Sequence, residues 1–172
     1  MLIGIGLLLA AGTQPASGSS GKMVLAYYVP YDATSWDSLQ AHAAAIDVVA
    51  GQWVNADACG NLSSRDDETV KDFAHANGLR VAPSLFVASA WVDHQILTND
   101  SAIQQMVDYT VGEGYDGFDL DLEGVDPADR QILTDFVGAL AGQLHAAGKM
   151  LTLALPAKVT DTTSGWSGAF DI

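Results

Sequence analysis

Apolar and polar residues alternate strictly along one run of this chain. Phe118, Leu120 and Leu122 take turns with Asp119, Asp121 and Glu123. A period of two predicts a β-strand, with apolar side chains on one face and carboxyls ~6.6 Å apart on the other. Four other short apolar runs also read as strands: Met23–Val29, Ile46–Val54, Leu79–Val87 and Met150–Leu155. Between the strands, apolar residues recur at helical spacing. One helix is expected from a cap at Ser35 through Leu39 and Ala43. The next starts near Ser64, with Asp66, Asp67 and Glu68 in its first turn, where the helix dipole favours negative charge. A third starts at about Ser101 and carries Ile103, Met106, Val107 and Val111. The last follows Asp126-Pro127, a cap and first-turn proline, and carries Leu133, Phe136, Leu140 and Leu144. Gly78, Gly114 and Gly148 are placed to end helices. The stretch around Asp57, Gly60, Asn61 and Ser63 reads as a loop.

The resulting order is β-α-β-α-β-α-β-α-β, in units of roughly thirty residues, which calls for a parallel sheet covered by helices. A doubly wound sheet would mark its first β-α turn with glycines, and Pro30-Tyr31-Asp32-Ala33 has none. A (β/α)8 TIM barrel gathers polar function at the C-terminal ends of its strands, where Glu123 lies. The predicted fold class is therefore α/β, a (β/α)8 TIM barrel of which this chain holds the first five strands. A full barrel takes eight strands and typically ~250 residues. A piece of a longer reading frame is expected, the other option being an arc completed by another chain.

Composition narrows the partners. The chain has 172 residues, 49% of them hydrophobic, and a net charge of -14 from 7 Lys and Arg against 21 Asp and Glu. That charge repels phosphate backbones, so nucleic acid is not an expected partner. The lone cysteine, Cys59, supports no disulfide framework and no cysteine metal site. Leu2 to Ala11 is continuously apolar, too short for a confident span and about the length of a signal-peptide core. Residues 1–12 are read as a signal peptide or hydrophobic anchor, 13–22 as a Ser/Gly linker, and 23–172 as the partial barrel. Export is expected, to the medium or the cell envelope, with membrane contact only through the leader.

Three acids on a strand buried on both faces are costly unless paired or functional. General acid catalysis needs a proton donor beside the leaving atom, and Glu123 sits at the mouth to supply it. Asp121 lies one step inward and Asp119 a further step. A proton shared among them would keep Glu123 protonated. The alternatives are a solvated strand, a sugar-binding module without turnover, and a divalent-metal site of a metal-dependent hydrolase. A calcium loop, however, wants glycine and polar residues where Phe118, Leu120 and Leu122 stand. No metal or cofactor is expected. Tyr28, Trp53, Phe86 and Trp91 are candidate sugar-stacking rings, Trp53 and Tyr28 foremost. His42, His75 and His145 fall in helical stretches and His94 in a loop, all read as surface residues.

The acidic run fits the pattern Asp-x-x-Asp-x-Asp-x-Glu as Asp116, Asp119, Asp121 and Glu123, with Gly117 and Phe118 inside it. Here the chain resembles glycoside hydrolase family 18, the chitinases and endo-β-N-acetylglucosaminidases, from about Met23 to Ile172. Ala26-Tyr27-Tyr28-Val29-Pro30 and Leu155-Pro156-Ala157-Lys158 are similar to the bacterial branch with spore-cortex and peptidoglycan-directed members. The resemblance implies a substrate-assisted retaining glycosidase acting on β-1,4-linked N-acetylglucosamine polysaccharide, of chitin or peptidoglycan type, and a monomer when complete. It implies that Glu123 is general acid and then base, that Asp121 orients the substrate's acetamido N–H, and that Asp119 pairs with Asp121. Asp116, of opposite parity, and Gly117 take structural roles. Two departures stand out. The family's Ser-x-Gly-Gly at the third strand is replaced by Pro83-Ser84-Leu85-Phe86-Val87. The Tyr, Asp and Trp it draws from its sixth and eighth strands have no counterpart here, so this stretch alone is expected to lack a complete active site.

Overall fold

In the computed structural model, which describes residues 22–171, five parallel strands lie side by side in chain order. They are β1 (Leu25–Tyr28), β2 (Val48–Ala56), β4 (Arg80–Val87), β5 (Gly117–Leu122) and β6 (Met150–Leu153). A short β3 (Leu62–Ser64) runs antiparallel on β2. Helices α1 (Ala33–His42), α2 (Glu68–Ala76), the consecutive pair α3 (Ala90–Thr98) and α4 (Ala102–Gly112), and α5 (Arg130–Ala146) fill the successive crossovers. Parallel neighbours in sequence order, each pair joined through a helix, are adjacent staves of the predicted barrel type. The expected leader and all of the expected linker but Lys22 lie outside the described residues.

Register assigns the two faces. Tyr27 pairs with Ala50 and Ala50 with Ala82; Ser84 pairs with Asp119, and Asp119 with Thr152. Neighbours in register share a face, so these side chains look into the arc. The opposite face holds Phe118, Leu120 and Leu122, all essentially inaccessible, in one cluster with Leu85, Met106, Phe136 and Leu140 under the helices. Both faces of β5 are thus covered, as the unbroken burial of its six residues shows.

Helix starts differ from expectation by a few residues, because the capping oxygens are not the ones nearest the apolar stripe. Asp32, not Ser35, caps α1 by accepting from the Thr34 N–H. Ser35 instead accepts from the Val29 N–H. Asp67 caps α2 by accepting from Val70, so that helix begins at Glu68 rather than near Ser64. Asp66 is left free to accept from the hydroxyls of Tyr109 at 2.6 Å and Tyr115 at 2.8 Å. Gly78, Gly114 and Gly148 end α2, α4 and α5 with φ of 76°, 73° and 72°, a region that favours glycine.

Two elements were not legible. The expected loop at 57–63 is a hairpin whose turn is tied by Asp57, which accepts from the N–H groups of Cys59 and Asn61. Its return strand, Leu-Ser-Ser, is too short and polar to show a period. Helix α3, capped by Ser89, occupies the span assigned to a loop. His94 is therefore helical and half-buried, and its Nδ1 lies 2.9 Å from an Asp129 carboxyl oxygen.

The aromatics chosen first for sugar stacking are core residues. Tyr28 and Trp53 are 7% and 2% exposed, with their rings in edge contact at 6.2 Å. Trp53 also packs on Tyr115, and Tyr115 on Tyr109 of α4. Strand parity is the cause: Tyr28 faces away from the inward Tyr27, and Trp53 shares the helix side with Val49 and Gly51, its indole folded back over Gly51. The register shift between Gly51 and Val54 adds a residue to β2 at that point. Neither ring offers a face to a ligand. Gly117 has a packing reason: a β-carbon there would lie 2.5 Å from the Met150 carbonyl oxygen.

Candidate active site

The inner face of β5 carries Asp119 and Asp121, 1% and 6% exposed, and Glu123 follows the strand end in the open. Asp119 lies deepest. It accepts from Ser84 Oγ on β4 at 2.8 Å and from Thr152 Oγ1 on β6, so both flanking strands hold it. The Tyr27 phenol faces the same acids from β1. Burial first, and then the charges of Asp119 and Asp121, push its ionisation upward, so it stays a neutral hydroxyl. Asp121 has a looser partner, Gln52 Nε2 of β2 at 3.5 Å. Burial, followed by the charges of Glu123 and Asp119, raises its carboxyl to about 6.

Glu123 is held by its backbone. Its N–H donates to the Val87 carbonyl at 2.7 Å, extending the β4–β5 ladder by one step. Its carbonyl accepts from the indole N–H of Trp166 at 3.1 Å. Trp166 belongs to the segment after β6, which folds back over α5 and the strand end. Arg130 clamps that segment by donating to the carbonyls of Thr162, Gly168 and Phe170 and by pairing with Asp161 and Asp171. Lys158 adds a contact to Asp161. A cavity of about 60 Å³ remains between Asp121, Glu123, Pro156 and Trp166.

A larger cleft of about 580 Å³ opens on the other side, above β1, β2 and β4, lined by Tyr31, Gln52, Asn55, Arg65 and Phe86 among others. Phe86 pairs in register with Asp121 and is 44% exposed, so its ring borders both cleft and acids. Trp91 is also exposed, on α3, with its indole N–H donating to the Ala58 carbonyl at 3.3 Å. Asp116 sits at the opposite end of β5. It accepts from the Val81 N–H at 2.8 Å and meets His75 Nε2 at 2.9 Å, tying β4, β5 and α2 together. The site residues missed from sequence are Tyr27, Gln52, Ser84, Thr152 and Trp166. Ser84 and Thr152 become recognisable only through register, since nothing in their local sequence distinguishes them. Among the described residues, Asp66, Glu68 and Glu113 bring carboxylate oxygens within 4.8 Å of one another, but Asp66 is already engaged by two tyrosines.

One further acid lies beneath Gly124, the residue after Glu123. Asp93, in the first turn of α3, is fully buried, and neither carboxyl oxygen has a hydrogen-bond partner of good geometry. It packs under Gly124, where a β-carbon would come within 2.7 Å of Asp93 Oδ2. Burial raises its carboxyl to about 7, eased in part by the Gly124 N–H. The folded state therefore holds this proton more tightly than the unfolded chain does. Stability falls as pH rises through the window from about 4 to about 7, and stays low above it. Asp93→Asn is expected to remove that part of the loss and to stabilise the protein by roughly 2–4 kcal/mol at pH 8, with little effect at pH 4. Denaturant melts of both proteins across that range check this. Asp121 contributes a fall of the same sign in both, so the difference isolates Asp93.

Comparisons with known proteins can now be set against this geometry. The chain superposes on a class V chitinase from Pseudomonas fluorescens with a TM-score of 0.79 and 26% identity, over 88% of this chain and 50% of that one. The spore cortex-lytic enzyme SleL of Bacillus cereus matches with a TM-score of 0.76 and 18% identity, over 87% and 38%. The structural neighbours are GH18-type chitinases and cortex-lytic enzymes. By sequence, a Bacillus subtilis protein, named provisionally as the sporulation-specific glycosylase YdhD, is 36% identical over 87 residues. That match covers 48% of this chain and 20% of the relative. No family model matches. The chain spans about half the length of the chitinases it superposes on, and its five parallel strands correspond to part of their TIM barrel.

Proposed function

We propose that this chain carries the proton-donating part of a glycosidase of the glycoside hydrolase 18 type, acting on N-acetylglucosamine-containing polysaccharide by substrate-assisted, retaining catalysis. The observation that carries this reading is the graded environment of the acid trio. Asp119 is locked between two strands, Asp121 is buried with a raised proton affinity, and Glu123 stands exposed at the strand end.

In this reading Glu123 gives its proton to the departing glycosidic oxygen as the bond to C1 breaks. The carbonyl oxygen of the sugar's own 2-acetamido group attacks C1 and closes an oxazolinium-type ring. Asp121 accepts a hydrogen bond from the acetamido N–H and stabilises the positive charge that builds there. Asp119, fixed by Ser84 and Thr152, supplies the neighbouring charge that helps raise the proton affinity of Asp121. Glu123, now a carboxylate, takes a proton from water, whose oxygen opens the ring at C1 from the original face. Phe86 and Trp91 remain proposed as sugar-contacting rings on grounds of exposure. An enzyme of this kind works outside the cell or in its envelope, the setting proposed here.

The test is product release by the intact protein from an N-acetylated glucosamine oligosaccharide, beside an analogue with hydroxyl in place of the 2-acetamido group. Release from the first alone is expected. Equal cleavage of both would overturn substrate assistance, and cleavage of neither would overturn the glycosidase reading.

A further inference from the structure

We infer that Trp166 is a positioning residue for the proton transfer: its indole N–H, donated to the Glu123 carbonyl, fixes the peptide that follows the acid and so sets where the acid's side chain reaches. This rests on the glycosidase reading, which it deepens by naming what places the donor.

The Glu123 side chain stands in the open, so its placement rests on the backbone beneath it. The N–H of Glu123 is the last rung to β4, 2.7 Å from the Val87 carbonyl, and fixes one side of the residue. The other side is the Glu123–Gly124 peptide. That peptide is trans, so its carbonyl and its N–H point in opposite directions. The carbonyl meets the Trp166 indole at 3.1 Å. The Gly124 N–H points toward the buried Asp93 carboxyl of α3. Gly124 lies so close to the start of α3 that a β-carbon would come within 2.7 Å of the Ser89 nitrogen and 2.8 Å of the Ala90 nitrogen. The peptide is thus stopped on the α3 side, and Trp166 holds it from the other direction.

Core packing does not account for this indole. Trp166 is 63% exposed, yet its N–H edge is turned inward onto the acid's main chain. The segment that carries it is anchored on both sides. Arg130 donates to the Thr162 carbonyl before it and to the Gly168 and Phe170 carbonyls after it. Ala169 and Phe170 are buried, and the turn closes with the Gly168 N–H on the Gly165 carbonyl at 3.0 Å. Gly165 has a φ of 71°, and a β-carbon at Gly168 would lie 2.5 Å from the Ser164 nitrogen, so both glycines are needed to turn the chain here. A tight, pinned turn thus presents one ring whose polar atom reaches the peptide after Glu123. Loss of that one bond leaves the segment anchored but frees the carbonyl. An acid displaced by a fraction of an ångström then transfers its proton more slowly.

The experiment compares the intact protein with Trp166→Phe, which keeps a ring and loses the donor, and with Trp166→His, which restores a ring N–H at nearly the same reach. One readout is NMR relaxation at the Gly124 N–H. The other is kinetics on two N-acetylglucosamine glycosides, one with a sugar leaving group and one with an activated phenolate. In Trp166→Phe the Gly124 order parameter is expected to fall from the ~0.85 of rigid backbone toward ~0.6. The kcat for the sugar leaving group should fall about tenfold with KM within about a factor of two. First-turnover release of phenolate, which needs no proton, should stay near the parent's. Trp166→His should recover part of both losses. An unmoved order parameter, an unchanged kcat, or an equal loss on both glycosides overturns the inference and leaves the glycosidase reading intact. An order parameter that depends on the Trp166 N–H, in a protein that cleaves neither glycoside, sinks the glycosidase reading alone.

Discussion

Glu123→Gln in the intact enzyme is expected to cut hydrolysis of an N-acetylated glycan by about 10²–10⁴-fold while leaving glycan binding within a factor of a few. The side chain keeps its size and place, because what holds this residue is backbone. Its N–H is bonded to Val87 and its carbonyl to Trp166, and neither contact uses the carboxyl. Among the described residues the Glu123 carboxyl makes no hydrogen bond or ion pair, so the amide replaces it in the open at the strand end without losing a contact. The loss should therefore fall on kcat, with unchanged melting behaviour. A variant that retains more than about a tenth of the parent rate would remove Glu123 from the chemistry.

Asp121→Asn is the second large effect, expected at roughly 10²-fold in kcat. The amide cannot carry the negative charge that answers the developing positive ring. It also abolishes the titration that burial and the neighbouring acids have moved up to about 6. The parent's rate should change across a pH step near 6, and the variant's profile should lose that step. Stability should move the other way. A group whose proton affinity is raised on folding destabilises the native state above that pH, so the amide should leave the protein as stable or more stable near neutrality. A large loss of activity together with a matching loss of stability would mark Asp121 as structural.

Much of this was legible in the chain before its coordinates, for identifiable reasons. The acidic strand declares itself because three carboxyls alternate with three apolar residues, and a barrel stave buried on both faces makes that pattern costly. The order of parallel strands follows from strand-helix units of similar length. Asp116 could be separated from the trio by parity alone, and it ties β4 to β5 at the far end. What sequence could not supply was register and local geometry. Trp53 looked like a cleft residue because it stands near the end of its strand, but strand parity turns it to the helix side with Val49 and Gly51. Ser84 and Thr152 meet Asp119 across neighbouring strands at separations of 35 and 33 residues, with no local signal. Trp166 lies 43 residues from Glu123 and reaches it through a segment pinned by Arg130. Such contacts are products of the tertiary fold.

The central claim is that Glu123 protonates a departing sugar oxygen. The most direct measurement compares two glycosides of N-acetylglucosamine on the intact Glu123→Gln protein: one with a sugar leaving group, the other with an activated phenolate that departs without protonation. A burst of phenolate from the second, with almost no cleavage of the first, is the predicted result. Equal loss on both would contradict it and assign the acid's role to another residue.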